Sequence, residues 1–370
     1  MSNTSRSYTE TTYFKGLDGL RAFSVIAVIW THVSGPHALE LLRHGNKGVD
    51  LFFAISGFLV TTLLLRERRR TGAISLRDFY IRRTLRIFPL YYAVLALYCV
   101  LVFATMRGTP KAAEFWQNLP AFATYTSNWF VSAENGAEHG VTFYFAWSLA
   151  TEEQFYLFWP PVLVAALASR RAWLPAVVAV VLFLAQVAAI QVPAPGLVLT
   201  AIGSLAPPIL FGAMFAVLLD HRPTFDVLAP MLGRRVVPPL ATALLLAQLQ
   251  LGAPALAISF TMAVLVASIC LCQDSWLHPV LDARPVAFVG TISYGMYLMH
   301  MLAANAVRKV AGHQMGLDVF AGTVLLVVLM AYASHRWFES PILRLKARFT
   351  GRGRVAAARP AAVITPTPSA

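Results

Sequence analysis

The sequence predicts an all-α, polytopic integral membrane protein with about ten transmembrane helices. Two observations support this prediction: the composition of the chain and the length of its apolar runs. Of its 370 residues, 58% are hydrophobic and 13% are charged, whereas soluble domains average roughly 25% charged residues. Apolar runs of about 17 to 25 residues, the length that crosses the hydrocarbon core, recur along the chain. The runs lie at about 17–35, 47–65, 89–106, 146–168, 172–190, 200–219, 237–252, 254–272, 286–305 and 317–338.

The basic residues predict the orientation of these helices. An even number of spans places both termini on one side of the membrane, and loops rich in Lys and Arg lie in the cytoplasm. One set of loops holds eight arginines between Arg66 and Arg86 alone. The other set holds only Arg43, Lys47, Arg107, Lys111, Arg308 and Lys309. Both termini are therefore expected in the cytoplasm, and the net charge of +13 indicates topology and contacts with anionic lipids, not nucleic-acid binding.

The spans form one domain over 15–345, because no polar linker is long enough to separate two cores. Residues 1–14 form a polar leader without a small-residue cleavage site, so the first span is expected to be an uncleaved anchor. Residues 346–370 are rich in Ala, Pro, Arg and Thr and are predicted to be disordered. The cysteines are odd in number and lie inside predicted helices, so they are expected to pack as apolar residues, with no metal site.

The longest outer loop, 107–145, contains the aromatic-rich segment AEFWQNLPAFATYTSNWF. Aromatic residues of this kind concentrate at membrane interfaces. The segment could anchor the fold at the interface, re-enter the membrane or line a cleft for an acceptor. The anchoring interpretation is the most ordinary of the three.

Arg21 and His32 lie in the first span, where an ionisable pair in hydrocarbon is a functional-site hypothesis. Their separation of eleven residues places both on one helix face, roughly 16 Å apart along the axis. A neutral imidazole can take a proton from a hydroxyl, and a nearby carboxylate can fix its tautomer. Glu152, in the fourth span, is the candidate carboxylate. A lone histidine that only bonds a neighbouring helix is the commoner case, but several buried ionisable groups favour a site.

Three further arginines enter the third span in SLRDFYIRRTLRIFPLYY. Arg82, Arg83 and Arg86 fall on adjoining faces of one helix. Guanidinium groups bind phosphate oxygens well, so these residues are candidates for binding a phosphorylated donor. The alternative, contact with lipid headgroups at the cytoplasmic surface, is equally compatible with the composition.

Other polar residues are candidates for lining a substrate site. Ser293, Tyr297 and His300 recur at helical spacing and form one polar stripe on the ninth span. Asp18 stands three residues before Arg21, so a local ion pair also explains it. Asp50 opens the second span, where a carboxylate can instead stabilise the free backbone donors of the helix.

Several segments together resemble the bacterial membrane-bound acyltransferase family 3. They are Arg21 and His32 with ten residues between them, followed by GVDLFFAISGFL, RRTLRIFPLYY, WSLATEEQFYLFWP, ISYGMYLMH and HRWFESPI. These segments occur in this order and cover about 14–343. The resemblance implies a ten-helix enzyme of the bacterial inner membrane that uses cytosolic acyl-CoA to acylate hydroxyl groups, often on sugars, glycolipids or secondary metabolites.

The family pattern also assigns roles by position. His32 matches the catalytic histidine, Arg21 its partner, and Arg83 and Arg86 the donor-binding arginines. Glu152, rather than its neighbour Glu153, matches the regular acid of the family. Many members carry a further helix and a C-terminal esterase-like domain, and their lack in this sequence argues against a peptidoglycan or other large-polymer acceptor.

The resulting hypothesis is an O-acyltransferase with acyl-CoA as donor, no metal, and a sugar-containing acceptor. The alternative is a transporter or flippase that uses the intramembrane charges as a proton or substrate path. The sequence shows no inverted repeat and no pair of helices broken by Gly or Pro in its two halves, which counts against the transporter.

Overall fold

The computed structural model describes residues 8, 11, 13–14, 16–34, 40–131, 141–169, 173–190 and 196–345. Within these ranges the regular structure is helical throughout, which confirms the predicted all-α class. The longer helices are α1 (Leu17–Val33), α2 (Gly48–Thr71), α3 (Leu76–Thr105), α4 (Pro110–Ala123), α5 (Trp147–Ala168), α6 (Leu174–Ile190), α7 (Leu197–Gly203), α8 (Pro207–Asp220), α9 (Arg222–Leu232), α10 (Val237–Gln250), α11 (Ala255–Leu271), α12 (Arg284–Thr291), α13 (Ser293–Ala311) and α14 (Leu317–Ser334). The predicted tail, 346–370, lies outside the described residues.

Three described helices are long and apolar enough to cross a membrane. They cover Gly45–Thr71, Leu76–Thr105 and Leu317–Leu345, and the bent pair of α12 and α13 would make a fourth. Shorter apolar helices cover Leu174–Ala188, Pro207–Asp220, Val237–Gln250 and Ala255–Leu271. The protein is therefore helical and of membrane type, as its composition predicts.

Two of the predicted spans are not continuous helices. The span at 200–219 is interrupted between α7 and α8, where Pro207 opens the second helix. The span at 286–305 bends by 76° where α12 meets α13. A β-carbon on Gly290 would lie 1.8 Å from the Asp18 carbonyl oxygen, so this glycine lets α12 lie against the backbone of α1. Both interruptions lie in the second half of the chain, so they do not contradict the expectation that the two halves lack a pair of helices broken by Gly or Pro.

The loop after α3 returns to the middle of that helix. The hydroxyl of Tyr91 donates to the Phe122 carbonyl at 2.8 Å, and that of Tyr92 donates to the Ala123 carbonyl at 2.9 Å. Both tyrosines lie near the centre of the 30-residue α3. The C-terminal end of α4 therefore packs beside the middle of α3.

Small residues allow the helices around the site to pack closely. A β-carbon on Gly57 of α2 would lie 1.9 Å from the Ile209 carbonyl oxygen, and one on Gly212 of α8 would lie 2.3 Å from that of Ala54. Helices in membranes gain stability from such close backbone contact. The backbones of α2 and α8 therefore lie in direct contact where the two helices cross.

Candidate active site

A cavity of about 630 Å³ lies among the helices and collects most of the predicted site residues. Cavities of roughly 300 to 1,000 Å³ are typical of small-molecule sites. Its lining includes the predicted residues Asp18, Arg21, Arg82, Arg83, Arg86, Glu152, Ser293 and Tyr297. These side chains come from α1, α3, α5 and α13, so the fold brings together residues that are far apart in sequence.

One end of this cavity is rich in arginine, and we call it the arginine end, defined by Arg21, Arg82, Arg83 and Arg86. Arg82 forms an ion pair with Glu67 at 2.9 Å, and Arg21 pairs with Asp18 at 2.9 Å. Part of the charge of these two cations is therefore already neutralised.

Arg83 and Arg86, the other two arginines, have no carboxylate partner among the described residues. The Arg83 guanidinium lies 4.8 Å from the centre of the Tyr156 ring and 5.7 Å from that of Phe79, an arrangement that stabilises a cation on aromatic faces. Among the described residues, neither Arg83 nor Arg86 forms an ion pair. Both cations therefore remain available to an anionic group in the cavity.

The Asp18 carboxylate receives a second hydrogen bond, from the hydroxyl of Tyr13. Burial, together with this hydrogen bond, raises the pKa of Tyr13 to about 12. The phenol therefore stays protonated at neutral pH and donates to Asp18. This contact holds the segment before α1 at the mouth of the cavity.

Glu152 of α5 also lines the cavity and accepts hydrogen bonds from Ser56 and Tyr156. Ser148, Glu152 and Tyr156 recur at intervals of four residues and so share one face of the helix. Glu153 points elsewhere, into a second cavity of about 270 Å³. One of its carboxylate oxygens is buried without a hydrogen-bond partner among the described residues.

Two hydroxyl groups of the cavity lining, those of Ser148 and Tyr297, hydrogen-bond each other. Ser148 Oγ and the Tyr297 hydroxyl are 2.6 Å apart, and Tyr297 also donates to the Phe145 carbonyl at 3.2 Å. The Tyr297 ring packs against His300, with ring centres 5.5 Å apart. Tyr297 therefore contacts both the cavity and His300.

His32, His300 and Tyr144 form a cluster beside Tyr297, and we call it the histidine cluster. His32 Nδ1 lies 2.7 Å from the Val28 carbonyl oxygen, and its Nε2 lies 2.8 Å from the Tyr144 hydroxyl. The two imidazole rings lie 5.0 Å apart. His300 Nδ1 lies 2.5 Å from the Tyr297 carbonyl oxygen, and its Nε2 is buried without a partner among the described residues.

The structure separates some residues that the sequence hypothesis paired. Glu152 makes its hydrogen bonds to Ser56 and Tyr156, so the Val28 carbonyl, not this carboxylate, holds the His32 ring. The reason is packing: Glu152 faces the cavity. Asp50, in the first turn of α2, pairs with the Lys47 side chain at 2.9 Å and does not line the cavity.

Sequence reasoning missed several residues of the site. Tyr144 lies 112 positions from its partner His32, in a short turn without helical periodicity, so no local pattern indicates it. Tyr156 lies four residues after Glu152 on the same helix face, and this spacing could have identified it. Ser56 lies within the GVDLFFAISGFL segment, but its contact with Glu152 spans 96 positions.

Comparisons with known proteins agree with this architecture. A family model described as an acyltransferase domain matches residues 14–336. The O-acetyltransferase OatA of Staphylococcus aureus, in strains NCTC 8325 and MRSA252, is 30% identical over 372 residues, covering 89% of this chain and 57% of each relative. The chain therefore spans little more than half the length of these relatives. No solved structure matches it. On the family match, this chain belongs to the acyltransferase family 3.

Proposed function

We propose that this protein is an integral membrane O-acyltransferase. It would transfer an acetyl or other short acyl group from cytosolic acyl-CoA to a hydroxyl of a carbohydrate, glycolipid or glycosylated metabolite. The observation that carries the proposal is a cavity lined by Arg83 and Arg86, which form no ion pair among the described residues, and by Tyr297, whose ring packs against His300 of the histidine cluster. The O-acetyltransferase relatives support the reaction class.

The arginine end suits the phosphates of the donor. Arg83 and Arg86 would bind phosphate oxygens, because guanidinium groups form paired, charge-assisted hydrogen bonds with them. Arg82 and Arg21, already paired with carboxylates, would add positive potential along the path. The pantetheine arm would extend along the cavity toward Ser148 and Tyr297. The thioester would then reach the vicinity of His32.

His32 has the arrangement of a general base. Its Nδ1 faces a backbone carbonyl, which can only accept a hydrogen bond, so the proton of the neutral ring resides on Nδ1. The lone pair is then on Nε2, where it can take a proton from an acceptor hydroxyl. Attack of that oxygen on the thioester carbonyl forms an ester and releases the CoA thiol. A transient acyl-histidine is a permitted variant of this scheme.

Glu152 would act in the cavity instead of on the imidazole. Its position on the face of α5 shared by Ser148 and Tyr156 suits a carboxylate that balances the arginine charges and positions the acyl arm. Ser293 and Tyr297 would line the same path, and His300 would pack against the base.

The finer topology belongs to the same proposal. Ten crossings, with both termini in the cytoplasm of a bacterial inner membrane, would place the arginine end at the cytoplasmic surface, where acyl-CoA is available. The excess of arginine in the same set of loops supports this orientation.

The test is a transfer assay on the purified protein. We would incubate it with labelled acetyl-, propionyl-, succinyl- and longer acyl-CoA and with envelope or metabolite extracts, then identify labelled esters by mass spectrometry. A labelled ester formed only with intact protein supports the proposal. Proton-coupled uptake into vesicles without acyl transfer or CoA release would instead favour the transporter alternative.

A further inference from the structure

We propose that Tyr144 is a further catalytic residue, whose hydroxyl relays the proton of the acceptor to His32. This inference rests on the proposed role of His32 as general base. The juxtaposition that carries it is the Tyr144 hydroxyl, 2.8 Å from the nitrogen that holds the imidazole lone pair.

The direction of each hydrogen bond follows from its partner. Because the Val28 carbonyl can only accept, the ring nitrogen beside it must donate, which leaves Nε2 of the neutral His32 ring as an acceptor. Tyr144 must therefore donate its hydroxyl hydrogen to Nε2. The basic nitrogen is thus already occupied, while the phenol oxygen keeps its lone pairs for another hydroxyl. A proton from the acceptor reaches His32 most directly through that oxygen.

The backbone holds Tyr144 in place at this point. Phe143 has φ of 71°, in the left-handed region that a bulky side chain rarely adopts. Phe143 and Phe145 are both buried, and the turn Tyr144–Ala146 leads directly into α5. Strained backbone of this kind persists where packing fixes it, often at functional sites. Tyr144 itself is only half-buried, so part of its side chain is exposed outside the packed interior.

His300 is the other candidate for a relay, and its surroundings argue against it. Its ring is 1% exposed and packs against Phe145 and Tyr297. Among the described residues, its Nε2 contacts no hydroxyl. His300 therefore packs beside His32 and fixes the position of that ring, while Tyr144 supplies the route for the proton.

In the proposed step an acyl group moves from sulfur to oxygen while protons pass through Tyr144. The acceptor O–H bond breaks as its proton moves to the Tyr144 oxygen, and the Tyr144 proton moves to His32 Nε2. The acceptor oxygen forms a bond to the thioester carbonyl carbon, and the C–S bond breaks. The departing thiolate takes a proton from the imidazolium, directly or back through Tyr144. The products are an ester and a free thiol, and both residues return to their starting protonation states.

The experiment compares Tyr144→Phe with Tyr98→Phe. Tyr98 lies in the same aromatic cluster, packed against Phe143 and Phe145, and its hydroxyl has no hydrogen-bond partner among the described residues. We expect Tyr144→Phe to lower kcat about 100-fold, at the lower end of the usual range for acid-base groups, with the KM for acyl-CoA unchanged. Tyr98→Phe should keep kcat within about twofold, because it removes no hydrogen bond of the site.

A second measurement separates a relay from a merely structural hydroxyl. Fluorotyrosines incorporated only at position 144 keep the shape of the side chain but make the phenol more acidic. A relay predicts that kcat changes with the degree of fluorination and that the solvent isotope effect reports two protons in motion. Wild-type kcat in Tyr144→Phe, or a kcat that is unaffected by fluorination, would overturn the relay.

His32→Ala, measured in parallel, separates a failure of the relay from a failure of the general base. If His32→Ala is inactive while Tyr144→Phe is fully active, the relay is wrong and the general base is retained. If His32→Ala transfers acyl groups at the wild-type rate, the base and the relay fail together. Wild-type protein that transfers no acyl group from any donor would overturn the proposed function itself.

Discussion

The arginine end of the cavity and the histidine cluster are built on different physical principles. The arginine end carries four cations, two of them balanced by carboxylates, around an open space. The histidine cluster has three closely packed rings whose polar atoms, apart from His300 Nε2, bond backbone carbonyls and one another. Fixed charge around a cavity suits the binding of an anion, whereas a neutral imidazole with one defined lone pair suits proton transfer.

The separation of the two regions has a consequence for kinetics. A contact made equally in the ground and transition states changes KM, and one made only in the transition state changes kcat. Substitutions at the arginine end should therefore act mainly on the donor KM. Substitutions in the histidine cluster should act on kcat. Glu152 belongs to neither region, so its substitution tests whether a residue elsewhere in the cavity affects KM or kcat.

The largest expected effect is that of His32→Ala. We expect kcat to fall 10²- to 10⁴-fold, the usual contribution of a general base, while binding of acyl-CoA is retained because the arginine end is intact. Turnover of purified variants and donor binding by calorimetry measure the two quantities separately. His313→Ala is the matched control, since that histidine is exposed and, within the described part of the chain, pairs with Asp318 and the Met315 carbonyl alone. More than about a tenth of the wild-type turnover in His32→Ala would contradict the role.

Glu152→Gln should have the next largest effect, a loss of about tenfold or more in kcat/KM for the donor. The amide keeps the size of the side chain but removes the charge that Ser56 and Tyr156 hydrogen-bond. Glu153→Gln is the control, because Glu153 faces the second cavity. Because Glu152 lies outside the histidine cluster, its effect and that of His32 should multiply in the double variant. A double variant no slower than His32→Ala alone would show instead that the two residues act as one unit.

Arg83→Ala and Arg86→Ala should each raise the KM for acyl-CoA about tenfold, with kcat little changed, since a phosphate contact is uniform binding. Added salt should weaken donor binding in the wild type more than in these variants. Arg77→Ala is the control, because this exposed arginine lies on the same helix outside the cavity. An unchanged donor affinity in both variants would show that these arginines do not bind the donor and would favour a role in membrane topology.

Arg82→Ala should have the smallest effect, roughly threefold or less on the donor KM, because Glu67 already offsets the Arg82 charge. Glu67→Gln releases that arginine and should tighten donor binding slightly. Titration of both variants with acyl-CoA at low salt measures the difference. A loss in Arg82→Ala as large as that in Arg83→Ala would show that the ion pair with Glu67 opens when the donor binds.

The sequence by itself determined the helical class, the approximate positions of most helices and the side of the first helix that carries Arg21 and His32. These features follow from local physics: apolar runs partition into hydrocarbon, and the 3.6-residue repeat fixes which side chains share a face. The family motifs then assigned Arg83, Arg86 and Glu152 to a site, and the structure places all three on one cavity.

Only the tertiary structure decided which polar groups touch. The bend between α12 and α13 and the approach of Gly290 to the backbone of α1 both appear only in the tertiary structure. The partners of Glu152 and His32 lie 96 and 112 positions away. Contacts across such distances depend on the tilt and rotation of each helix, which packing sets and local hydropathy leaves open. Tyr144 lies in a turn without helical periodicity, so only its contact with the His32 imidazole in the folded structure identifies it.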